Sequence, residues 1–457
     1  MDQHGSSTAD IDRIHDGTAI YTVDAEIDRL LDAIGWPEQG GSLMDPGCGD
    51  GNMLLRALLR LHPMPGDTAA ACRIKGQDFH DPSVAQARHR YRDALVAFGW
   101  SVRDATSMAT QNVTCRDYLL EGCDGRPDTM LANPPYWRRT NLPASYMEQF
   151  DRAVPRRAKA DMLHAYIERM TRDVSPTGTL AMVTSDRWLV NQQAAALREA
   201  VGGAFRVASV RRLDTASSFH RPKGRTKGTP PRVHAVALVL SAEGRAIDAS
   251  PFRMDNGDPV GGVPLGDLVE LRLAPWLGPD GIFTVAANSG LPSRSLVPAI
   301  EPRDIDMATG RLKAIRRWAI VTGDAEPDPA IMSHLRQNMG RMPARGIRKV
   351  AWHPPERFDR HLPLDHDAIL VPRIAKRLTG IRLPRGHLPT NHSLVAIVPG
   401  NLSVDTIIAM LDDERVQKAA NAVALMVEDG YRSYTATLLR AVIIPYDLIP
   451  VEMRAAA

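Results

Sequence analysis

The fold is decided by a stretch of eleven residues, Ser42-Leu43-Met44-Asp45-Pro46-Gly47-Cys48-Gly49-Asp50-Gly51-Asn52. Residues 42–44 predict a short strand, and apolar residues at helical spacing between Met53 and Leu61 predict a helix. The glycines between them let the backbone bend sharply and approach a ligand closely. Because the helix presents free amides at its N-terminus, this turn predicts an α/β fold with a ligand site at the carboxyl end of the strand.

The alternation of short apolar strands and amphipathic helices continues to about residue 240. We expect strands at 42–44, 73–76, 128–132, 178–184, 206–213 and 233–240. We expect helices at 24–34, 53–61, 82–97, 161–172 and 189–201. Strands that alternate with helices form a mostly parallel sheet covered on both faces, so residues 1–245 predict a doubly wound α/β domain.

This alternation fades after about residue 245, where proline and glycine become frequent. We place a domain boundary there and expect residues 246–457 to form a second domain of the α+β class with shorter elements. Within the first domain, residues 217–232 are rich in Pro, Gly, Lys and Arg and predict an exposed loop. A solvated hairpin connection is the alternative interpretation of that segment.

Composition narrows the class of protein. The chain is 44% hydrophobic, and no apolar run approaches the ~20 residues that a membrane helix needs. The polar start lacks the pattern of a signal peptide, so we expect a cytoplasmic protein without a membrane partner. The four cysteines form no CxxC pair, so we expect neither a disulfide framework nor a metal site.

Two acidic residues indicate what the glycine-rich turn binds. Asp45 stands at the strand end, where a carboxylate repels a pyrophosphate but attracts the ammonium group of an amino acid. Asp78 follows the next predicted strand, at a position suited to hydrogen bonds with ribose hydroxyls. S-adenosylmethionine joins an amino acid to a nucleoside and satisfies both. Taken alone, Asp78 would be interpreted as a turn or helix-capping aspartate.

Asn133-Pro134-Pro135-Tyr136 follows the predicted strand at 128–132. The two prolines fix φ near about −65° and remove two backbone donors, so the turn is rigid. The side-chain oxygen of Asn133 and the carbonyl of Pro134 can accept both hydrogens of the N6 amine of adenine. This localises the lone pair of a poor nucleophile and stabilises the positive charge that develops on nitrogen during methyl transfer. Tyr136 offers a face on which a purine can stack.

An Asx-type turn before a proline loop is the alternative interpretation of this motif. Its position, roughly 80 residues after the glycine-rich turn and at the end of a later strand of the same sheet, favours a functional role. The two motifs together predict a methyltransferase that uses S-adenosylmethionine.

At this point the sequence resembles the γ-class (Taq-like) N6-adenine DNA methyltransferases of restriction–modification systems, over residues 15–240. Their pattern is Asp-Pro-x-Cys-Gly-x-Gly, then Asn-Pro-Pro-Tyr, then a C-terminal target-recognition domain. The resemblance implies a class I methyltransferase fold, Rossmann-like, with a doubly wound, mostly parallel seven-stranded sheet. It also implies that residues 246–457 recognise the target and bind DNA.

The resemblance implies roles for individual residues. Tyr21 and Thr22 match a Tyr-Thr-Pro segment that closes over the cofactor, although Val23 stands where the pattern has proline. Asp117 matches an aspartate that contacts the adenine of the cofactor. Phe219 matches an aromatic residue that packs against the flipped base, with a hydrophobic loop anchor as the alternative. The implied cofactor-binding residues are Tyr21, Thr22, Asp45, Gly47, Cys48, Gly49, Gly51, Asp78 and Asp117. The implied catalytic residues are Asn133, Pro134, Pro135, Tyr136 and Phe219.

Adenine N6 is hydrogen-bonded inside a duplex, so such an enzyme must extrude the base at a cost of about a few kcal/mol. Phosphate contacts can offset this, and the chain has two basic clusters although its net charge is only +3. They consist of Arg206, Arg211, Arg212, Arg221, Lys223, Arg225, Lys227 and Arg232, and of Arg336, Arg341, Arg345, Arg348, Lys349, Arg373, Lys376, Arg377, Arg382 and Arg385. We expect double-stranded DNA as partner, with a restriction endonuclease or defence-system subunit on a separate chain. Plain solvation of the surface is the alternative.

Three other functions remain compatible with the motifs. An RNA adenine-N6 methyltransferase could use the same pocket. A protein-glutamine N5 methyltransferase also acts on a planar, unreactive nitrogen. A non-catalytic DNA-binding subunit would bind the cofactor without transferring its methyl group.

Overall fold

The computed structural model of the chain describes residues 8–39, 41–214, 217–220, 234–252, 261–306, 311–313, 316–322, 325–342, 352–353, 365–427 and 430–451. The chain divides into two compact units, Met1–Phe252 and Arg253–Ala457. Most of the predicted loop at 217–232 lies outside the described residues. Within the described ranges, every helix is too short or too polar to cross a membrane.

The first unit contains a seven-stranded sheet. Its strands are β1 (Leu43–Asp45), β2 (Ile74–Asp78), β3 (Val113–Cys115), β4 (Thr129–Ala132), β5 (Thr179–Ser185), β6 (Arg206–Arg212) and β7 (Ala235–Ser241). The strand order is β3-β2-β1-β4-β5-β7-β6. Strands β1 to β5 are parallel, and β7 runs antiparallel to both of its neighbours. The doubly wound, mostly parallel seven-stranded sheet expected from the sequence is confirmed.

Helices connect these strands. They are α1 (Thr8–Thr18), α2 (Asp24–Ala33), α3 (Asn52–Leu61), α4 (Thr68–Ala71), α5 (Asp81–Ala97), α6 (Val102–Asn112), α7 (Tyr118–Glu121), α8 (Ala144–Ala153), α9 (Met162–Asp173), α10 (Arg187–Val190) and α11 (Ala195–Gly202). Apolar residues of α2, α3, α5 and α6 share one core with the side chains on one face of the sheet, such as Leu43 and Leu131. Neighbouring residues such as Met44 and Met130 point to the other face, where α9 contacts β5.

One predicted helix is wrong. The segment at 189–201 is not continuous, because the backbone leaves the helical conformation at Asn191, between α10 and α11. Arg198 explains the break, since its fully buried guanidinium donates to the carbonyls of Trp188 and Asn191 at 2.8 Å each. Those carbonyls would otherwise continue the helical ladder. The sequence pattern also missed α1, α6, α8 and strand β3.

Arg198 also ties the end of the first unit to its core. Its other nitrogens donate to the carbonyls of Ala249 at 2.6 Å and Ser250 at 2.9 Å. The amide of Phe252 donates to the carbonyl of Leu189. Residues 249–252 are therefore bonded to the first unit.

The second unit is built mainly from antiparallel sheets, which confirms the α+β class expected for it. One four-stranded sheet has the order Glu270–Leu273, Ser393–Ile397, Ala368–Pro372, Ile381–Leu383, and another has the order Thr284–Val285, Arg317–Ile320, Leu296–Ile300, Leu388–Pro389. Smaller sheets pair Gly262–Pro264 with Ile443–Pro445, Ile305–Asp306 with Arg311–Leu312, and Arg432–Ser433 with Ile374–Ala375 and Leu425–Met426. The helices are α12 (Leu265–Leu268), α13 (Pro329–Gln337), α14 (Val404–Asp412), α15 (Glu414–Val423) and α16 (Ala436–Arg440).

We expect Arg198→Met to lower the free energy of unfolding by about 3 kcal/mol or more, because several buried carbonyls lose their donor at once. Arg206→Met is the matched control. Arg206 also donates to backbone carbonyls, those of Gly202 and Phe205, but it is partly exposed, so water can replace it. Its loss should cost less than about 1 kcal/mol. Urea denaturation measures both, and equal losses would contradict the structural role of Arg198.

Candidate active site

The pairing of β1 with β4 creates the site. Leu43 pairs with Thr129 and Met44 with Met130, and the strand order reverses at this point. The turns after β1 and β4 therefore leave the carboxyl edge of the sheet side by side, which is where doubly wound folds bind ligands. Asp45 ends β1 and Asn133 follows β4.

A cleft lies at this edge. Its volume is about 650 Å³ when the part that is open to solvent is counted. Nine of the residues expected from the sequence line it: Tyr21, Thr22, Asp45, Gly47, Cys48, Gly49, Asp78, Asn133 and Pro135. The other five, which are Gly51, Asp117, Pro134, Tyr136 and Phe219, lie outside its lining. Sequence reasoning missed further lining residues, among them His15, Ile20, Asp50, Phe79 and Tyr166.

The glycine-rich turn is held from the neighbouring strand. The amide of Gly49, which has φ +53°, donates to Asp78 Oδ2 at 2.9 Å. Gly51 has φ +84°, and a Cβ there would lie 2.9 Å from the Cβ of Ala87 on α5. The absence of a side chain at Gly51 therefore allows α3 to begin close to α5, so this glycine is required for the packing of the two helices.

The cleft is strongly acidic. Asp45 is 2% exposed, and burial raises its pKa to about 8, helped by the nearby carboxylates of Asp78 and Asp50. Burial also raises the pKa of Asp78, against the lowering effect of the His80 and Gly49 amides. The thiol pKa of Cys48 is well above its ordinary value for the same reason. Buried carboxylates are costly unless a cation compensates them, so this cleft favours a positively charged ligand.

The side-chain amide of Asn133 has a fixed orientation. Its Nδ2 donates to the carbonyl of Ile20 at 2.9 Å, so its Oδ1 is the end that can accept a hydrogen bond. The hydroxyl of Tyr136 lies 2.9 Å from Oδ1 and 2.8 Å from the carbonyl of Val183. A tyrosine hydroxyl has one hydrogen and can donate to only one of these oxygens. Asn133 Oδ1 therefore keeps at least one acceptor position for another donor.

Pro134 and Tyr136 belong to the same turn as Asn133 but lie outside the lining of the cleft. Pro134 is buried, and among the described residues none donates to its carbonyl. Burial raises the pKa of Tyr136 well above its ordinary value, so its hydroxyl stays protonated and can donate. The Tyr136 hydroxyl thus contacts the side chain of Asn133.

Phe219 lies beside the cleft. Thr22 pairs with Phe219 and Tyr21 with His220 in a two-stranded antiparallel ladder. The Phe219 ring is partly buried against the core of the first unit. Since Thr22 lines the cleft, Phe219 is one strand away from it.

A second hollow of about 1350 Å³, again including space open to solvent, contains Asp117. Asp117 caps α7 by accepting from the Leu120 amide at 3.1 Å, and burial raises its pKa to about 6 against a lowering hydrogen bond from Tyr146. Phe79 lines both hollows, and so does helix α1, through His15 on one side and Asp12 on the other. His15 stacks on His80 with ring centroids 3.7 Å apart.

The structure changes the interpretation of the basic clusters. Several of their members form ion pairs within the protein: Arg211 with Glu26, Arg212 with Asp186, Arg377 with Glu414, Arg382 with Asp405 and Arg385 with Asp367. Arg221, Lys223, Arg225, Lys227, Arg232, Arg345, Arg348 and Lys349 lie outside the described residues. Among the clusters' described cations, therefore, many are already paired. In the same described ranges, no group of three or more His, Cys, Asp or Glu side chains could hold a metal ion.

Comparison with known proteins relates part of the chain to a family. Residues 100–212 match the model of the Eco57I restriction-modification methylase family. The type II methyltransferase M.PaeR7I of Pseudomonas aeruginosa is 28% identical over 44% of this chain and 38% of its own length. The type II methyltransferase M.XhoI of Xanthomonas vasicola is 25% identical over 49% of this chain and 46% of its own length. These matches thus cover less than half of each relative.

A solved structure extends the likeness in fold. The type IIL restriction–modification enzyme MmeI, solved in complex with DNA, matches 92% of this chain and 67% of its own, with a TM-score of 0.57 and 13% identity. At that identity the match shows the fold alone. The chain is therefore similar in part of its sequence to methyltransferases of type II restriction–modification systems, and similar in fold to a restriction–modification enzyme.

Proposed function

We propose that this protein transfers a methyl group from S-adenosylmethionine to N6 of an adenine in DNA, as the modification enzyme of a restriction–modification or phage-defence system. The observation that carries the proposal is the Asn133 amide, whose acceptor end is kept available beside a buried acidic cleft. The relatives that match part of the chain are named as methyltransferases, which supports the same reaction.

The cleft fits S-adenosylmethionine, which supplies a methyl group on a positively charged sulfur. The buried carboxylate of Asp45 would hold the ammonium group, and Asp78 the ribose hydroxyls. The hydroxyl of Thr22 lines the cleft, is buried and has no hydrogen-bond partner among the described residues, so it can bond to a ligand. Asp117 and Phe79, which line the adjoining hollow, would take the adenine.

Asn133 and Pro134 would act on the target base. The Asn133 side-chain oxygen and the Pro134 carbonyl accept the two N6 hydrogens and stabilise the charge that develops on the nitrogen. The Ile20 carbonyl and the Tyr136 hydroxyl hold the amide of Asn133 in the orientation that this requires. Tyr136 and Phe219 are the aromatic residues that we assign to the two sides of the flipped base.

The basic residues and the second unit would hold the DNA. We assign target recognition to residues 246–457 and phosphate contacts to residues of the two basic clusters. Arg225 and Lys227 belong to the first basic cluster of the sequence. Arg382 and Arg385 are bonded to Asp405 and Asp367 and are expected to contribute little. Cleavage of DNA is assigned to a separate chain.

The reaction is tested by sequencing DNA, with detection of N6-methyladenine, from cells that express the protein. We expect the wild type to modify one sequence motif and Asn133→Ala to lose at least about 100-fold of the methyl-transfer rate, since it removes a main acceptor. Asn141→Ala is the matched control because Asn141 is exposed and outside the cleft, and it should behave as wild type. Equal modification by Asn133→Ala and wild type would refute the active site.

The affinity for S-adenosylhomocysteine should depend on pH. Because the pKa of Asp45 is raised to about 8, the carboxyl is mostly protonated at neutral pH. An ammonium ligand favours the carboxylate, so binding releases a proton. The dissociation constant should therefore fall by up to about tenfold per unit between about pH 6 and pH 8, then level off.

Calorimetry of wild type, Asp45→Asn and Asp32→Asn measures this dependence. Asp45→Asn should bind more weakly with a flatter pH profile, whereas exposed Asp32 should not matter. A wild-type affinity that is constant across this range would show that Asp45 does not receive the ammonium group.

DNA binding should respond differently to two pairs of substitutions. Arg225→Gln/Lys227→Gln should reduce the slope of log affinity against log salt by about 1 to 2, because each phosphate contact contributes about 0.9. Arg382→Gln/Arg385→Gln should leave the slope nearly unchanged, since both arginines already pair with carboxylates. Fluorescence anisotropy at several salt concentrations measures the slopes. The reverse ranking would contradict this assignment.

A further inference from the structure

Residues 20–23, which we call the linking segment, are bonded to the catalytic motif. The carbonyl of Ile20 accepts the hydrogen bond from Asn133 Nδ2. The next two residues, Tyr21 and Thr22, line the cleft. The same short piece of backbone therefore sets the orientation of the Asn133 amide and forms a wall of the ligand site.

The linking segment is also bonded to residues 218–220. Tyr21 pairs with His220 and Thr22 with Phe219. The amide of Val23 then donates to the carbonyl of Ser218 at 3.1 Å. In the Tyr-Thr-Pro pattern that this segment resembles, proline stands at the position of Val23 and cannot donate. This chain thus has a hydrogen bond to residue 218 that such a pattern excludes.

The linking segment is also bonded to helix α3, which follows the glycine-rich turn. Asn52, the first residue of α3, donates to the carbonyl of Thr22 at 2.9 Å. Thr22 is 3% exposed, and its hydroxyl has no partner among the described residues. A ligand in the cleft can therefore bond directly to the linking segment and hold it in place.

We propose that the linking segment couples the two ligands, so that methyl donor and DNA each raise the affinity for the other. This inference rests on the proposed function, in which Phe219 and Asn133 meet the target base. A donor bound against Tyr21 and Thr22 fixes the backbone that also holds Phe219 and the Asn133 amide. The ligand that binds first fixes the linking segment, so the second ligand loses less conformational entropy when it binds. Thermodynamic linkage makes this effect reciprocal.

Val23→Pro tests the coupling with little disturbance. Val23 has φ −71° and ψ 151°, which proline adopts readily, and Thr22 before it is extended, as proline requires. The substitution removes the amide that bonds to Ser218. Val23→Ala is the matched control because it removes the side-chain methyls and keeps that amide.

The measurement is the dissociation constant of S-adenosylhomocysteine, by calorimetry, with and without a saturating duplex that carries the sequence the wild type methylates. For wild type and Val23→Ala we expect DNA to tighten binding by about tenfold. For Val23→Pro we expect a change below about twofold, with a DNA-free affinity within about threefold of wild type.

The outcomes separate the inference from the function on which it rests. If the wild type methylates no DNA, the proposed function fails. If it methylates DNA but binds the two ligands independently, or if Val23→Pro keeps the full coupling, the linking segment does not couple them.

Hydrogen exchange on the wild type gives a second test that does not depend on the folding of a variant. We expect S-adenosylhomocysteine alone to slow exchange at residues 217–219, and DNA alone to slow exchange at the Val23 amide. If neither ligand, bound alone, changes the exchange rate at its expected place, the inference is overturned.

Discussion

The hydrogen-bonded pairing of β1 with β4 is the constraint on which the rest of the site depends. It brings together two turns that lie far apart in the sequence, the glycine-rich turn after Asp45 and the proline-stiffened turn after Ala132. Neither turn could hold a donor and an acceptor in register alone. Parallel strands that reverse their order leave a crevice at the carboxyl edge, and each turn supplies one wall of it.

The second requirement is charge. Asp45 and Asp78 are buried and line the crevice, and burial raises the pKa of both carboxyls. Asp50, by contrast, forms an ion pair with Arg90 at 3.0 Å. The burial of carboxylates lowers the free energy of unfolding, and a cationic ligand raises it again when it binds. The acidity is therefore better understood as a binding feature than as a contribution to folding.

The sequence was sufficient where the signal is local. Strand and helix patterns located most elements of the sheet, and glycine or proline content located both turns. Long-range contacts could not be predicted from the sequence. The helix expected at 189–201 is broken by Arg198, whose carbonyl partners include residues about 50 positions away. The bond from Asn133 to Ile20 spans 113 positions and leaves no trace in either local pattern. For Phe219, resemblance named a role, whereas its pairing with Thr22 became visible only in three dimensions.

The most direct measurement is a crystal structure of the protein with S-adenosylhomocysteine. The account requires the ligand's amino group within hydrogen-bond distance of Asp45, and its sulfur on the side of the cleft that Asn133 Oδ1 faces, with Asn133 Nδ2 still bonded to the Ile20 carbonyl. A ligand bound elsewhere, or an Asn133 amide with Nδ2 turned toward the sulfur, would contradict it.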